Sequence, residues 1–119
     1  MPDPTEPLGP EDEKLVTLAR ATRARSGAAE GAAVRDGTGR TYTAATVSLA
    51  SLQLSALRTA VAMAASSGAT TLEAAAVVRE DDGHPPAEAD IGAVRDLGGP
   101  WTPVFVASPA GVVVSTVQT

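Results

Sequence analysis

A run near the middle of the chain, Thr71 to Arg79 (TLEAAAVVR), constrains the fold most, because it is rich in consecutive small and β-branched apolar side chains. A half-buried strand alternates apolar and polar residues, whereas a continuous apolar run is typical of a strand covered on both faces. The preceding segment, Ala50 to Ser66, has almost no strongly polar side chain apart from Gln53 and Arg58. An apolar pattern on all sides predicts a buried helix.

The other segments alternate between helical and extended patterns. They predict a helix that begins at Pro10 and ends at Gly27, strands over 30–35 and 40–47 joined by a turn over 36–39, a short helix over 90–97, and strands over 102–107 and 111–117. The resulting order, αββαβαββ, predicts a three-layer α/β fold around a five-stranded sheet of mixed strand direction. We expect residues 1–10, which include four prolines, to form a flexible tail, and residues 11–119 to form a single domain.

Charge and composition narrow the classes of function. The net charge of −5 argues against binding to nucleic acid or to an anionic membrane surface. No apolar run is long enough to span a membrane, and the acidic, proline-rich N-terminus is unlike a signal peptide, so we expect a cytoplasmic protein. The chain has no cysteine, which excludes a cysteine-ligated zinc site, a disulfide and a cysteine nucleophile.

Four short segments share their order and spacing with motifs of one enzyme family. The family motifs are, in order, V-G-A-A-L, D-G-x-x-Y/F-T-G-x-N-V-E, C-A-E-R-T-A and P-C-x-x-C-R-Q. The corresponding segments of this chain, in the same order, are EGAAV at 30–34, GRTYTAATVS at 39–48, SALRTA at 55–60 and DIGAVRD at 90–96. With these segments the chain resembles the small, zinc-dependent, homotetrameric cytidine deaminases. The resemblance implies a three-layer αβα fold and covers nearly the whole chain from Glu11 onward.

The chain departs from the family motifs at the positions that carry out the chemistry. The resemblance places Ser55, Ile91 and Val94 at the three zinc-ligand positions, and Leu57 at the position of the glutamate that shuttles protons. Isoleucine and valine have no lone pairs for a metal, so we expect neither zinc nor cytidine deamination. We also expect apolar side chains to fill at least part of the former pocket.

A remnant of the ligand pocket is a separate expectation. The resemblance places Thr46 and Ser48 at the positions of the asparagine and glutamate that hold the ribose, and Ser55 at the zinc-ligand position where the central helix of the family opens. These three residues are the candidates for residual ligand binding.

Relatives usually continue into a further helical segment beyond the last strand, and we expect that segment to be missing here.

Three kinds of function stay open at this point. The chain is predicted to be a structural or interaction protein that self-associates as a dimer or tetramer through the helix over 50–66, or that binds an unidentified protein partner. It could instead be a non-catalytic sensor of nucleosides or nucleotides. An enzyme with another chemistry, such as a hydrolase resembling cytidine deaminase, would need a polar constellation that the sequence does not display.

His84 is interpreted as a solvated loop residue rather than a metal ligand, and Arg58 and Arg95 as structural residues.

Overall fold

The computed structural model describes residues 8–119, so residues 1–7 of the predicted tail lie outside the described part. Pro10, the last residue of that predicted tail, is the first residue of a helix. The helices and strands in residues 8–119 are α1 (Pro10–Ser26), β1 (Gly31–Asp36), β2 (Thr41–Ala45), β3 (Val47–Leu49), β4 (Leu52–Leu54), α2 (Ala56–Ser66), β5 (Leu72–Val78), α3 (Glu88–Gly98), β6 (Pro103–Ala107) and β7 (Val113–Gln118). The longer elements confirm the predicted order αββαβαββ.

The main sheet has five strands in the order β2-β1-β5-β6-β7. Strands β5 and β6 are parallel, and the other neighbouring pairs are antiparallel, which confirms the predicted mixed sheet. In the central strand β5 every side chain except that of Glu73 is buried. The continuous apolar run is therefore covered on both faces.

Helices cover the two faces of the sheet separately. Helix α1 packs against one face, where its Leu15 and Ala19 join Phe105 of β6 in one apolar cluster. Helices α2 and α3 pack against the other face, where Leu57 and Val94 belong to a second cluster with the opposite side chains of the sheet. The fold is thus the predicted three-layer αβα arrangement.

Gly31 shows how closely the helical layer approaches the sheet. A Cβ atom at this position would lie 2.2 Å from the carbonyl oxygen of Ala19 and 2.6 Å from the backbone nitrogen of Arg23. Both atoms belong to the backbone of α1, which cannot move aside as a side chain could. Only glycine therefore lets β1 and α1 pack at this distance.

The segment before α2 corrects one prediction. The helix expected from Ala50 begins at Ala56, and the strand expected to reach Val47 ends at Ala45. The residues between them form the β3–β4 hairpin, in which Val47 faces Leu54 and Leu49 faces Leu52. The apolar residues of this segment thus follow the two-residue period of strands, whereas the prediction joined them to the helical pattern that follows.

Helix α2 is also less enclosed than its composition predicted. It buries one face, including Leu57, Ala60 and Val61, whereas Met63 on another face is 43% exposed in the single chain. None of the helices in residues 8–119 combines the length and hydropathy that crossing a membrane requires.

Candidate functional site

The N-termini of α2 and α3 lie side by side, next to the end of the sheet where β1 begins. Ser55 is the N-cap of α2, and its Oγ accepts a hydrogen bond of 3.1 Å from the backbone N–H of Arg58. The same hydroxyl donates a hydrogen bond of 2.8 Å to Oδ1 of Asp90, in the first turn of α3. The positions singled out by the family resemblance meet here, because Ser55 and Leu57 lie at the start of α2 and Ile91 and Val94 lie in α3.

Three of these positions form what we name the apolar floor: Leu57, Ile91 and Val94. Leu57 and Val94 are fully buried, Ile91 is 6% exposed, and all three belong to the cluster under α2 and α3. Their side chains contain only carbon and hydrogen and offer no electron pair to a metal. The remaining family position, Ser55, offers one neutral hydroxyl. This set of donors does not fit a zinc ion, which takes three or four thiolate, imidazole or carboxylate ligands from a protein.

Within residues 8–119 no group of three or more histidine, cysteine, aspartate or glutamate side chains is arranged to hold a metal ion. His84 lies in the exposed loop after β5, where its backbone N–H donates to Asp82 and its carbonyl oxygen accepts from Arg79.

Beside the floor lies a polar group that we name the Ser55–Asp90 cluster, made of Ser55, Arg58 and Asp90. The guanidinium Nε of Arg58 lies 3.4 Å from Oδ1 of Asp90 and 3.4 Å from Oγ of Ser55. Asp90 is only 8% exposed, so this carboxylate keeps its hydrogen-bonding partners within the protein. The cluster links the first turn of α2 to the first turn of α3.

Glu30 adds a second carboxylate to the same place. Its Oε1 accepts a hydrogen bond of 3.4 Å from the backbone N–H of Ala56, the first residue of α2. Sequence reasoning did not single out Glu30 or Asp90. One signal was available, because the first turn of α2 holds no acidic residue, whereas the first turns of α1 and α3 do.

The carboxylate beside Ser55 raises the question of whether this serine could be a nucleophile. An adjacent base is one requirement for activating a serine hydroxyl. Here, however, Oγ already accepts from the backbone of Arg58, and the guanidinium of Arg58 pairs with the Asp90 carboxylate. An N-cap hydroxyl that accepts from its own helix and donates to a carboxylate paired with an arginine is held in place. The geometry is that of a helix cap.

Within residues 8–119 the predicted pocket residues Thr46, Ser48 and Ser55 make no direct hydrogen bond to one another. The hydroxyl of Thr46 accepts a hydrogen bond of 3.0 Å from the backbone N–H of Glu30, whose carboxylate in turn reaches the N-terminus of α2. Ser48 is exposed in β3, where it pairs with Gln53 of β4. Thr46 and Ser55 are therefore connected through Glu30, and Ser48 is not part of that connection.

Thr46 lines an open cleft of about 350 Å³, and neither Ser48 nor Ser55 contributes to its lining. Two arginines of the cleft are paired loosely with exposed acidic residues: Arg23 lies 3.7 Å from Glu80, and Arg79 lies 3.7 Å from Asp82. The Nε of Arg79 is buried and has no hydrogen-bond partner. The cleft is thus polar and carries charges of both signs.

A second buried carboxylate, Asp36, lies at the opposite end of β1 from Glu30. It accepts hydrogen bonds from the backbone N–H and hydroxyl of Thr38, from the backbone N–H of Arg40, and from the hydroxyl of Tyr42, at 2.7 to 3.0 Å. These donors, the Thr38 hydroxyl above all, lower the pKa of Asp36 from 3.8 to about 2. All the donors belong to the β1–β2 turn and its flanks, so Asp36 anchors that turn.

Comparisons with known proteins agree on the fold. A family model described as cytidine deaminase-like matches residues 8–111. The cytidine deaminase of Burkholderia pseudomallei is 28% identical, with a TM-score of 0.73 and coverage of 89% of each chain. The cytidine deaminase of Mycobacterium leprae is 22% identical, with a TM-score of 0.69 and coverage of 89% of this chain and 91% of the other. For that of Bacillus anthracis the identity is 16%, the TM-score 0.67, and the coverage 92% of this chain and 84% of the other. A search of curated protein sequences gave no match.

Proposed function

Because the chain belongs to the cytidine deaminase-like family, we propose that it is a non-catalytic member that serves as a structural or interaction protein. One observation carries this proposal: the positions that the family resemblance assigns to catalysis hold the apolar floor and a helix-capping serine. Leu57 and Val94 are fully buried and Ile91 nearly so, which fits core packing rather than contact with a substrate.

The chemistry explains why these replacements are decisive. Deamination needs a hydroxide at neutral pH, and a bound zinc supplies it by lowering the pKa of water from about 15.7 to about 7. A positioned general acid or base contributes roughly 10²–10⁴-fold more. Leu57 cannot transfer a proton, and the floor cannot hold the metal, so both contributions are absent together. We therefore expect the protein to carry no zinc.

The test is a deamination assay on the purified full chain supplied with zinc and cytidine, with the cytidine deaminase of Burkholderia pseudomallei as the positive control. We expect release of ammonia from cytidine at the rate of the protein-free control. Turnover that rises in proportion to the concentration of this chain would overturn the proposal.

Exposed apolar side chains support the interaction part of the proposal. Met63 on α2 is 43% exposed, and Leu49 and Leu52 on the β3–β4 hairpin are 60% and 48% exposed. The exposed Met63 leaves an apolar side chain of α2 available for a contact, and the resemblance implies self-association through this helix. We expect a dimer or tetramer by size-exclusion chromatography with light scattering.

A charge on α2 tests whether this helix forms the contact. Met63→Lys should dissociate the assembly, whereas Val112→Lys, at a residue that is 61% exposed near β7, should leave it intact. A wild-type chain that is monomeric at all concentrations would contradict self-association and leave another protein as the partner.

A nucleoside- or nucleotide-binding sensor is the second candidate, and the open cleft beside Thr46 favours it. Its volume of about 350 Å³ is at the small end of the range for small-molecule pockets. Thermal unfolding with a panel of nucleosides and nucleotides distinguishes the two candidates. A rise in Tm that is lost in Thr46→Val and kept in the exposed control Ser48→Ala would establish the sensor, and no rise with any ligand would exclude it.

A further inference from the structure

The N-terminus of α2 lacks the local negative charge that the other helices supply for themselves. The first turn of α1 contains Glu11, Asp12 and Glu13, and that of α3 contains Glu88 and Asp90, whereas that of α2 contains no acidic residue. The unpaired N–H groups and the dipole at a helix N-terminus favour a nearby anion. For α2 the negative charge comes from elsewhere in the fold: Glu30 accepts from the backbone N–H of Ala56 at 3.4 Å, and Asp90 accepts from the hydroxyl of the N-cap Ser55 at 2.8 Å.

We propose that the Asp90 carboxylate acts as an internal ligand: it occupies the space between the two helix N-termini and binds groups of α2. It thereby ties α2 to α3 where zinc-binding relatives would use a metal. The carboxylate lies in the first turn of α3. It accepts a hydrogen bond of 2.8 Å from the hydroxyl of Ser55, the N-cap residue of α2. The guanidinium of Arg58 lies 3.4 Å from the same oxygen. One carboxylate oxygen is thus shared by a hydroxyl and a cation that both belong to α2.

The position of Asp90 in the chain supports this assignment. It directly precedes Ile91, which the resemblance places at a zinc-ligand position, and it contacts Ser55, which the resemblance places at another. A metal held at those positions would link the same two helices. Here the side chains that replace the ligands are apolar or neutral. The charged link between the helices is made by Asp90, one position before Ile91.

The internal-ligand role differs from that of an ordinary surface ion pair. Asp90 is 8% exposed, and its hydrogen-bond partner Ser55 lies 35 residues away in the sequence. A surface pair between flexible side chains contributes little, whereas a buried carboxylate that loses its place leaves its partners unsatisfied. Removing the carboxylate should therefore leave a space with an affinity for a small external anion.

Chemical rescue by formate tests the proposal. Asp90→Ala removes the carboxylate and leaves room for formate, so we expect its Tm to fall by about 5–10 °C and to recover at least half of that loss in sodium formate at high millimolar concentration. The wild type should show no such gain. Sodium chloride at the same ionic strength should not rescue the variant.

Two further variants keep the test decisive. Asp90→Asn keeps the shape of the side chain without its charge and leaves no room for formate, so it should lose stability and not be rescued. Val94→Ala, a cavity in the apolar floor, should also lose stability and not be rescued. If Asp90→Ala does not fold in buffer, the yield of refolded protein with and without formate replaces Tm. Equal effects of formate on all the variants, or no effect on Asp90→Ala, would overturn the proposal.

Discussion

Two carboxylates are buried within residues 8–119, those of Asp36 and Asp90, and they are held in different ways. Asp36 is 3% exposed and Asp90 is 8% exposed, so both depend on partners within the protein. The donors to Asp36 all lie within six residues of it, in the β1–β2 turn and at the start of β2. The partner of Asp90, Ser55, lies 35 residues away and belongs to another helix.

This difference separates a local role from a tertiary one. The donors to Asp36 come from the chain segment that joins β1 to β2, although Asp36 itself also pairs with Leu72 of β5. The Ser55–Asp90 cluster can form only after α2 and α3 have packed over the apolar floor. The second cluster therefore depends directly on the packing of α2 against α3, whereas the donors of the first come from a single hairpin.

The largest expected effect comes from removing the apolar support beneath the Ser55–Asp90 cluster. Leu57→Ala deletes a fully buried side chain and should lower the free energy of unfolding by about 3 kcal/mol. Urea denaturation measures this loss. The control Leu49→Ala changes the same residue type at a site that is 60% exposed, and it should stay within about 0.5 kcal/mol of the wild type. A small loss for Leu57→Ala would mean that the floor is not packed core.

A smaller effect is expected from removing one hydroxyl that donates a hydrogen bond to each carboxylate. Ser55→Ala removes both the cap of α2 and the hydroxyl donor to Asp90, and it should cost about 1–2 kcal/mol. Thr38→Ala removes one of several donors to Asp36, which keeps its bonds from Arg40 and Tyr42, so the loss should be smaller. Equal losses in urea denaturation would contradict the contrast between the tertiary and the local cluster.

The smallest effect is expected in the dependence of stability on pH. The folded-state pKa of Asp36 is lowered to about 2 from 3.8. A lowered pKa means that Asp36 stabilises the fold fully above the unfolded value, near pH 4, and that this contribution is lost as the pH falls towards 2. In Asp36→Asn the stability should fall less steeply between pH 4 and pH 2 than in the wild type. Parallel curves from acid titrations of urea stability would show that Asp36 is not the group responsible.

The contrast between the two carboxylates also explains what the sequence could predict. The turn over 36–39 was predicted because its glycines and its aspartate lie together in the chain. The role of Asp90 was missed because its partner is distant, and a single sequence does not display which distant polar residues meet. The burial of Leu57 and Val94 was expected, since the family resemblance aligned apolar residues with positions that face a pocket.

The fold itself was predictable because its strongest signals are local patterns of apolar residues along single segments. The continuous apolar run of β5 indicated a strand covered on both faces, and the alternation of helices and strands indicated three layers. The β3–β4 hairpin was missed because each of its strands is only three residues long and its leucines fit a helical pattern as well. The N-cap serine at position 55 was the local signal that separates this hairpin from α2.

The most direct test of the central proposal is the binding of zinc by the purified chain at neutral pH. We expect that, after equilibration with zinc and removal of the unbound metal, the protein retains no stoichiometric zinc, and that a chelator leaves its Tm unchanged. One zinc ion per chain, lost on chelation together with a drop in Tm, would contradict the account.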